Sequence, residues 1–275
     1  MRMKNNLQGK IALVTGSGKG IGKAVALELA SKGVTVILNG RNREKLDRTL
    51  AEFRSMGFRA NAIPGDVSDP EQSRAIIDKA VSLYGQLDIA VLNAGVSGYG
   101  LVEETSPEQL QHVMNINTLG TFYCTRELIP HLRRSRGSLV LISSLAGLHG
   151  IPRSSVYCMS KMALTALAQS LRIELKGTGI HIGLVHVGFT VNEADKTVCA
   201  PDGKTIPIQH RPGWLQQSRE KVARNVVGMI RRRRFRLVLS PLGKLFAFFR
   251  RYFPGFTLRA MQFTNRSSEK LTRTS

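Results

Sequence analysis

Lys10-Ile-Ala-Leu-Val-Thr-Gly-Ser-Gly-Lys-Gly-Ile-Gly22 reads as a strand, a sharp turn and the first turn of a helix. Lys10 to Thr15 carries four consecutive apolar residues, a run too short for a helix, and Gly16 ends it. From Gly20 to Ser31 the apolar residues recur at helical spacing instead. Glycines in the turn allow tight backbone geometry, and a helix starting there offers unpaired N–H groups and the positive end of its dipole. Such a turn accepts a phosphate against its backbone. Gly16, Ser17, Lys19, Gly20, Ile21 and Gly22 are therefore candidate contacts for the pyrophosphate of a dinucleotide.

Working outward, strand-like and helix-like stretches alternate. Val34 to Asn39 is apolar and β-branched, and Arg43 to Met56 is helical in period. Then come a strand at Arg59–Ile63, a helix at Pro70–Tyr84, a strand at Leu87–Asn93, one long helix at Pro107–Arg133 and a strand at Ser138–Ser143. A helix at Val156–Lys176 and a strand at Ile180–Val187 complete the series. Continuous apolar runs separated by helices predict a parallel sheet covered on both faces. The expected architecture is α/β, a single doubly wound parallel-sheet Rossmann domain over residues 1–240, with a basic amphipathic extension over 241–275.

The second informative stretch is Ser155-Val-Tyr-Cys-Met-Ser-Lys161. Tyr157 and Lys161 are i and i+4 on one helix and share a face. A tyrosine near neutral pH is a poor acid and a poor base, with an ordinary pKa of about 10, and an adjacent ammonium favours its phenolate. Lys161 is therefore expected to lower the Tyr157 pKa. Ser144, thirteen residues before Tyr157 at the end of a strand, is placed to bind the oxygen that the tyrosine protonates. Ser143 is the alternative if the strand register shifts by one.

Tyr-x-x-x-Lys with a serine at this distance, and Thr15-Gly-x-x-x-Gly-x-Gly22 near the start, resembles the short-chain dehydrogenase/reductase family from about Lys10 to about Ile230. The resemblance implies a fourth catalytic residue. The family's Asn-x-x-Gly pattern selects Asn117 before Gly120 over Asn115, and there the asparagine bends its helix and holds a water leading protons to the lysine. Further cofactor contacts are implied for Asp66 and Val67 beside the adenine, for Asn93, Ala94 and Gly95 at the end of the fourth strand, for Tyr157 and Lys161, and for Val187, Gly188 and Thr190 after the sixth. One departure stands out. The family's proline is Val187 here, and the threonine that reaches the carboxamide falls four residues after the glycine in the common pattern, at Asn192, whereas this chain has Thr190. Both remain candidates.

Where the second strand ends, an NAD site places a carboxylate for the ribose hydroxyls. Asn39-Gly-Arg-Asn42 has none, and Arg41, with Lys19, suits a 2′-phosphate, so the expected cofactor is NADP(H). The expected reaction is hydride transfer between nicotinamide and a carbonyl or secondary alcohol, with Ser144, Tyr157 and Phe189 facing a lipophilic substrate of steroid, retinoid, sphingoid or acyl type. A 3-oxoacyl reductase acting on carrier-bound chains and a non-catalytic NADP(H) sensor are the alternatives; a sensor would not require a proton relay. Trp214 is a second candidate for the pocket lining, and His149 receives no role.

The 275 residues carry a net charge of +21, unevenly spread. From Lys204 onward seventeen Lys and Arg face only Glu220 and Glu269. Cys124, Cys158 and Cys199 show no metal spacing and suit a reducing compartment. No metal is expected. With no apolar signal region before the first strand and no apolar run long enough to span a bilayer, the expected location is cytoplasmic. In the tail, Leu242, Leu245, Phe246, Phe249, Phe253 and Phe256 form one apolar face with Lys244, Arg250 and Arg251 largely off it, and Pro254 should bend or end the helix. Peripheral membrane contact is the first reading of that face. Cover over the substrate entrance or a partner subunit is the second, and phosphate binding to nucleic acid is disfavoured because no recognition motif accompanies it. A homodimer or homotetramer through the helices at Pro107–Arg133 and Val156–Lys176 is implied by the family.

Overall fold

The computed structural model describes residues 6–191, 197–207, 213 and 216–262. Seven of the short apolar runs form one sheet: β1 (Ile11–Val14), β2 (Thr35–Gly40), β3 (Ala60–Pro64), β4 (Ile89–Leu92), β5 (Ser138–Ser144), β6 (His181–Val187) and an edge strand, Arg236–Val238, labelled β9 below. The order is β3-β2-β1-β4-β5-β6-β9, and every pairing is parallel. Helices α1 (Gly20–Ala30), α2 (Arg43–Ser55), α3 (Pro70–Tyr84), α4 (Pro107–Met114), α5 (Gly120–Ser135), α6 (Ser155–Glu174) and α7 (Arg219–Arg232) cover it. One apolar layer packs α1 and α7 onto the sheet through Val25, Leu29, Val222 and Val226; the other packs α3, α5 and α6 through Ile77, Leu128 and Leu171. With both faces covered, β1 and β4 are buried at every position, so these strands carry continuous apolar runs rather than alternation.

The chain builds outward from β1 to β3, then returns to the other side of β1 with β4. That reversal opens a crevice at the strands' C-terminal ends. Small elements complete the described chain: the antiparallel pair β7 (Thr197–Cys199) and β8 (Thr205–Pro207), then β9, then α8 (Pro241–Tyr252). A further helical stretch covers 254–262, with the break falling at Phe253 as Pro254 led one to expect.

The expected single helix Pro107–Arg133 is corrected. A π-helical turn at Asn115–Leu119 separates α4 from α5. The apolar periodicity continues through this turn, but one additional residue is accommodated in it so that the Asn117 side chain can reach the Val96 backbone. The single apolar face expected of the tail is also corrected. In α8 the buried contact point is Gly243, where a Cβ would come to 2.7 Å from Leu145 Cδ2. Phe246 and Phe249 are half-buried, while Leu242, Leu245, Phe248 and Tyr252 point outward. Ser240, with φ 73°, makes the turn into α8, and its Oγ caps the helix by accepting from Gly243 N at 3.0 Å.

Candidate active site

The end of β1 meets the end of β4 with almost no space between backbones. Gly16 has φ 62°, and a side chain there would meet Ala94 Cα at 2.9 Å. Gly22, in the first turn of α1, is tighter still, because a Cβ would overlap the Gly16 carbonyl and come to 2.5 Å from Asn93 Nδ2. Asn93 Nδ2 donates to the carbonyls of Thr15 and Gly16, each at 3.1 Å. Thr15 Oγ1 accepts from the N–H groups of Asn93 and Ala94, each at 3.0 Å, which locks the two strand ends together. Lys19 stands at the N-cap position of α1, and its own side chain does not cap the helix. Gly20, at φ 63°, has open space where a side chain would be. A helix start beside a backbone bare of side chains fits a pyrophosphate.

Other candidates divide between the crevice and the interior. Ser17 is buried; its Oγ donates to the Val14 carbonyl at 2.8 Å and accepts from Asn39 N at 2.9 Å, so the side chain braces the turn from within. Ile21 packs partly against the core, and the Val67 side chain is buried while its carbonyl accepts from Ser73 Oγ at 2.7 Å. Arg41 is exposed at the end of β2, with Nη1 3.4 Å from Asp66 Oδ2. Burial works against the Asp66 carboxylate, but hydrogen bonds from the Ser68 N–H and hydroxyl, together with Arg41, outweigh it and hold its carboxyl below the usual range.

Ser144, Tyr157, Lys161 and Asn117 converge at the ends of β5 and β4. The Ser144 hydroxyl accepts from Ala146 N at 3.2 Å and lies near enough to the Tyr157 phenol to ease its ionisation. Ser143, the alternative, turns inward and donates to the Lys161 carbonyl at 3.0 Å. Lys161 is buried, and Nζ donates to the Ile142 carbonyl at 3.1 Å while lying 5.8 Å from the centre of the Tyr157 ring. Asn117 is buried, whereas Asn115 is exposed. Asn117 Oδ1 accepts from Val96 N at 2.8 Å, and Nδ2 donates to the Val96 carbonyl and to Ser160 Oγ, each at 2.9 Å. Gly95 lies between the two: a Cβ there would meet Asn117 Oδ1 at 3.0 Å and Lys161 Nζ at 3.2 Å.

The expected lowering of the Tyr157 pKa is corrected. Burial pushes the phenol above its ordinary value, against a smaller opposing pull from the nearby Ser144 hydroxyl. The Lys161 ammonium is directed at the Ile142 carbonyl, so the protein alone holds Tyr157 as a neutral proton donor.

At the end of β6 the chain turns toward β9 and α8. Val187 is buried, and Gly188 leaves room for the turn into α8, since a Cβ there would approach Ser240 Oγ to 2.7 Å. Thr190 Oγ1 donates to the Gly188 carbonyl at 3.2 Å, and half-buried Phe189 has its carbonyl accepting from Gln217 N at 2.9 Å. Asn192 and Trp214 lie outside the described residues. Residues 10–201 match the short chain dehydrogenase family.

The chain belongs to the short-chain dehydrogenase/reductase family. It is 41% identical over 190 residues to an uncharacterized oxidoreductase of Thermotoga maritima, covering 68% of this chain and 74% of that one. It is 34% identical over 206 residues to the tetrahydroxynaphthalene reductase of Pyricularia oryzae, covering 73% and 72%. A crystal structure of a short-chain dehydrogenase/reductase from Burkholderia phymatum in complex with NAD superposes with a TM-score of 0.80 at 25% identity, over 90% of this chain and 94% of that one. This short-chain dehydrogenase/reductase is accordingly an oxidoreductase acting on carbonyl or alcohol groups with a nicotinamide cofactor.

Four contributors went unnamed from the sequence. Thr15 was visible within the Thr-Gly stretch, and Ser160 inside the Tyr-x-x-x-Lys spacer. The Ile142 carbonyl has no sequence signal. Neither does His186, fully buried in β6 with Nδ1 3.1 Å from the Ser144 carbonyl oxygen.

Proposed function

We propose that the chain is an NADP(H)-dependent reductase of a lipophilic carbonyl compound, with Asn117, Ser144, Tyr157 and Lys161 as its catalytic residues. The observation carrying this reading is the convergence of Ser144 at the end of β5, Tyr157 with the buried Lys161 Nζ 5.8 Å from its ring centre, and the buried Asn117 across Gly95, at the mouth of the crevice above the glycine turn. Bound in that crevice, the reduced dinucleotide supplies the hydride to the carbonyl carbon. Ser144 holds the substrate oxygen by a hydrogen bond, and Tyr157, kept protonated by burial, gives its phenolic proton to that oxygen as negative charge develops. Lys161 and Asn117 flank Gly95, which sets Lys161 to return a proton to the phenolate and Asn117 to hold the turn that positions it. Gly16, Lys19, Gly20, Gly22, Arg41, Asp66, Asn93, Ala94, Gly95 and the β6 exit would hold the cofactor.

NADP(H) is favoured because residues 39–42 contain no carboxylate and Arg41 extends from the end of β2. Its guanidinium fork suits a phosphate in two-point contact. A planar polyphenol derivative joins the lipophilic substrate classes, because a relative is named for reducing a hydroxylated naphthalene. A homo-oligomer through α4, α5 and α6 accords with the exposed Phe122, Met159 and Ile173 on that face.

Two measurements test the reading. NADPH oxidation against a panel of aromatic and long-chain ketones should show turnover that Tyr157→Phe lowers by about a hundredfold or more, with NADPH still bound; a variant as active as its parent would remove Tyr157 as the acid. Arg41→Asp should weaken NADPH by about tenfold or more while leaving NADH little changed. Equal losses for both cofactors would overturn the NADP(H) assignment.

A further inference from the structure

A groove of about 950 Å³ lies at the opposite end of the sheet from Tyr157, where β6 and β9 begin and α6 and α7 end. Arg172, Lys176, Arg231, Arg232, Arg233 and Arg234 line it together with Arg236, and no acidic side chain does. Between Lys221 and Gln262 the sequence holds eleven Lys and Arg and no acid. Arg233 is already engaged within the fold, donating to the carbonyls of Arg136 and Gly179. Arg236 is lowered from its ordinary pKa by burial and by the nearby Arg250 and Arg251 of α8. Arg236 thus joins the groove to the basic end of α8, and neither has a carboxylate partner among the described residues.

Beside this region α8 and the stretch 254–262 show a second feature. Leu245 is 54% exposed, Phe248 51%, Tyr252 57% and Phe256 63%, and Leu242, Phe253 and Leu258 are similarly open. The inward side of the same helix rests on Leu145, one residue past Ser144, through Gly243, and Phe246 stacks edge-on against His149 with ring centres 5.8 Å apart. One helix thus touches the segment beside the catalytic serine and presents aromatic side chains outward, with Lys244, Arg250, Arg251 and Arg259 among them.

We infer that the β9–α8 edge is a docking surface for an anionic phospholipid bilayer, with α8 and 254–262 lying in the interface and the arginine groove meeting lipid phosphates. Exposed aliphatic and aromatic groups enter the acyl boundary, and each cation near the surface gains from the negative leaflet potential. No helix among the described residues is long and apolar enough to cross a membrane, so the contact is peripheral. A second copy of the chain is the weaker occupant, because pairing this edge with itself would set one arginine cluster against another. Docking stands independently of the reductase reading; resting on that reading is only the consequence that a lipophilic carbonyl reaches the Ser144 mouth from the bilayer.

Flotation of the full chain with vesicles tests this. The protein should float with vesicles of phosphatidylcholine and phosphatidylglycerol, stay behind with phosphatidylcholine alone, and be released by high salt. The outward substitutions Leu245→Glu and Phe248→Glu together, and separately Arg250→Glu with Arg251→Glu, should each lower partitioning by about tenfold or more, with melting temperature and turnover of a water-soluble ketone unchanged. Tyr157→Phe should float like the parent, which separates a failure of docking from a failure of the reductase reading. Flotation insensitive to these variants or to lipid charge would overturn the proposal. So would a dimer that Leu245→Glu and Phe248→Glu dissociate, which assigns the face to a second copy, or release from vesicles by a short DNA duplex, which assigns the cations to nucleic acid.

Discussion

The β1–β4 side of the sheet and its β9–α8 edge solve packing in opposite ways. At β1 and β4 backbones lie so close that Gly22 admits no side chain, and every strand residue is buried. At the edge, β9 has three residues, none of them fully buried, and α8 buries only Gly243. The first region is over-determined by atoms that cannot move, while the second is held by a short ladder to β6, the Gly243 contact, the Phe246–His149 stack and the Ser240 turn. The difference separates what must be rigid, a cradle matched to a dinucleotide, from a covering element whose outer face remains available.

The largest effect should come from Gly22→Val. The added side chain meets the Gly16 carbonyl and Asn93 rather than flexible side-chain tips, so a loss of about 4 kcal/mol or more is expected, seen as failure to fold or a large drop in melting temperature. A variant that melts with its parent and binds NADPH normally would break the contrast between the two regions.

A smaller effect concerns β6, the strand that joins the regions. His181 and His186 are buried, and burial pushes each down to about 4. In the unfolded chain a histidine titrates near about 6.5. Between those values the unfolded state binds more protons, so stability is highest above about pH 6.5 and falls as pH drops toward about 4, by up to about 3 kcal/mol per histidine. Urea midpoints measured across that window should show the fall, and His186→Gln should flatten it. A slope unaffected by the substitution would sink the assignment.

Much of the sheet was legible because strands covered on both faces must be uniformly apolar, as Ile11 to Val14 and Ile89 to Leu92 are. The candidate site was legible where chemistry fixes spacing: Tyr157 and Lys161 one turn apart, Ser144 at a strand end, glycines at the tight turn. What escaped depends on tertiary context. The apolar period crosses Asn115–Leu119 without interruption, so nothing in it reveals the π turn. The tail pattern assigned Leu245 and Phe246 to one face, because a glycine contributes nothing to an apolar pattern, yet Gly243 is the point of contact. The direction of the Lys161 ammonium was set by the Ile142 carbonyl, a backbone group carrying no residue-specific signal.

The widened turn at Asn115–Leu119 also fixes how the chain can vary in length. Each residue advances an α-helix by about 100°. The π turn takes up that angle itself, so deleting one residue there and closing the turn to α geometry would leave α4 and α5 on their common heading while withdrawing Asn117 from Val96. The turn therefore acts as a local insertion: a one-residue deletion that spares both helices would still dismantle the proton-handling side of the cleft.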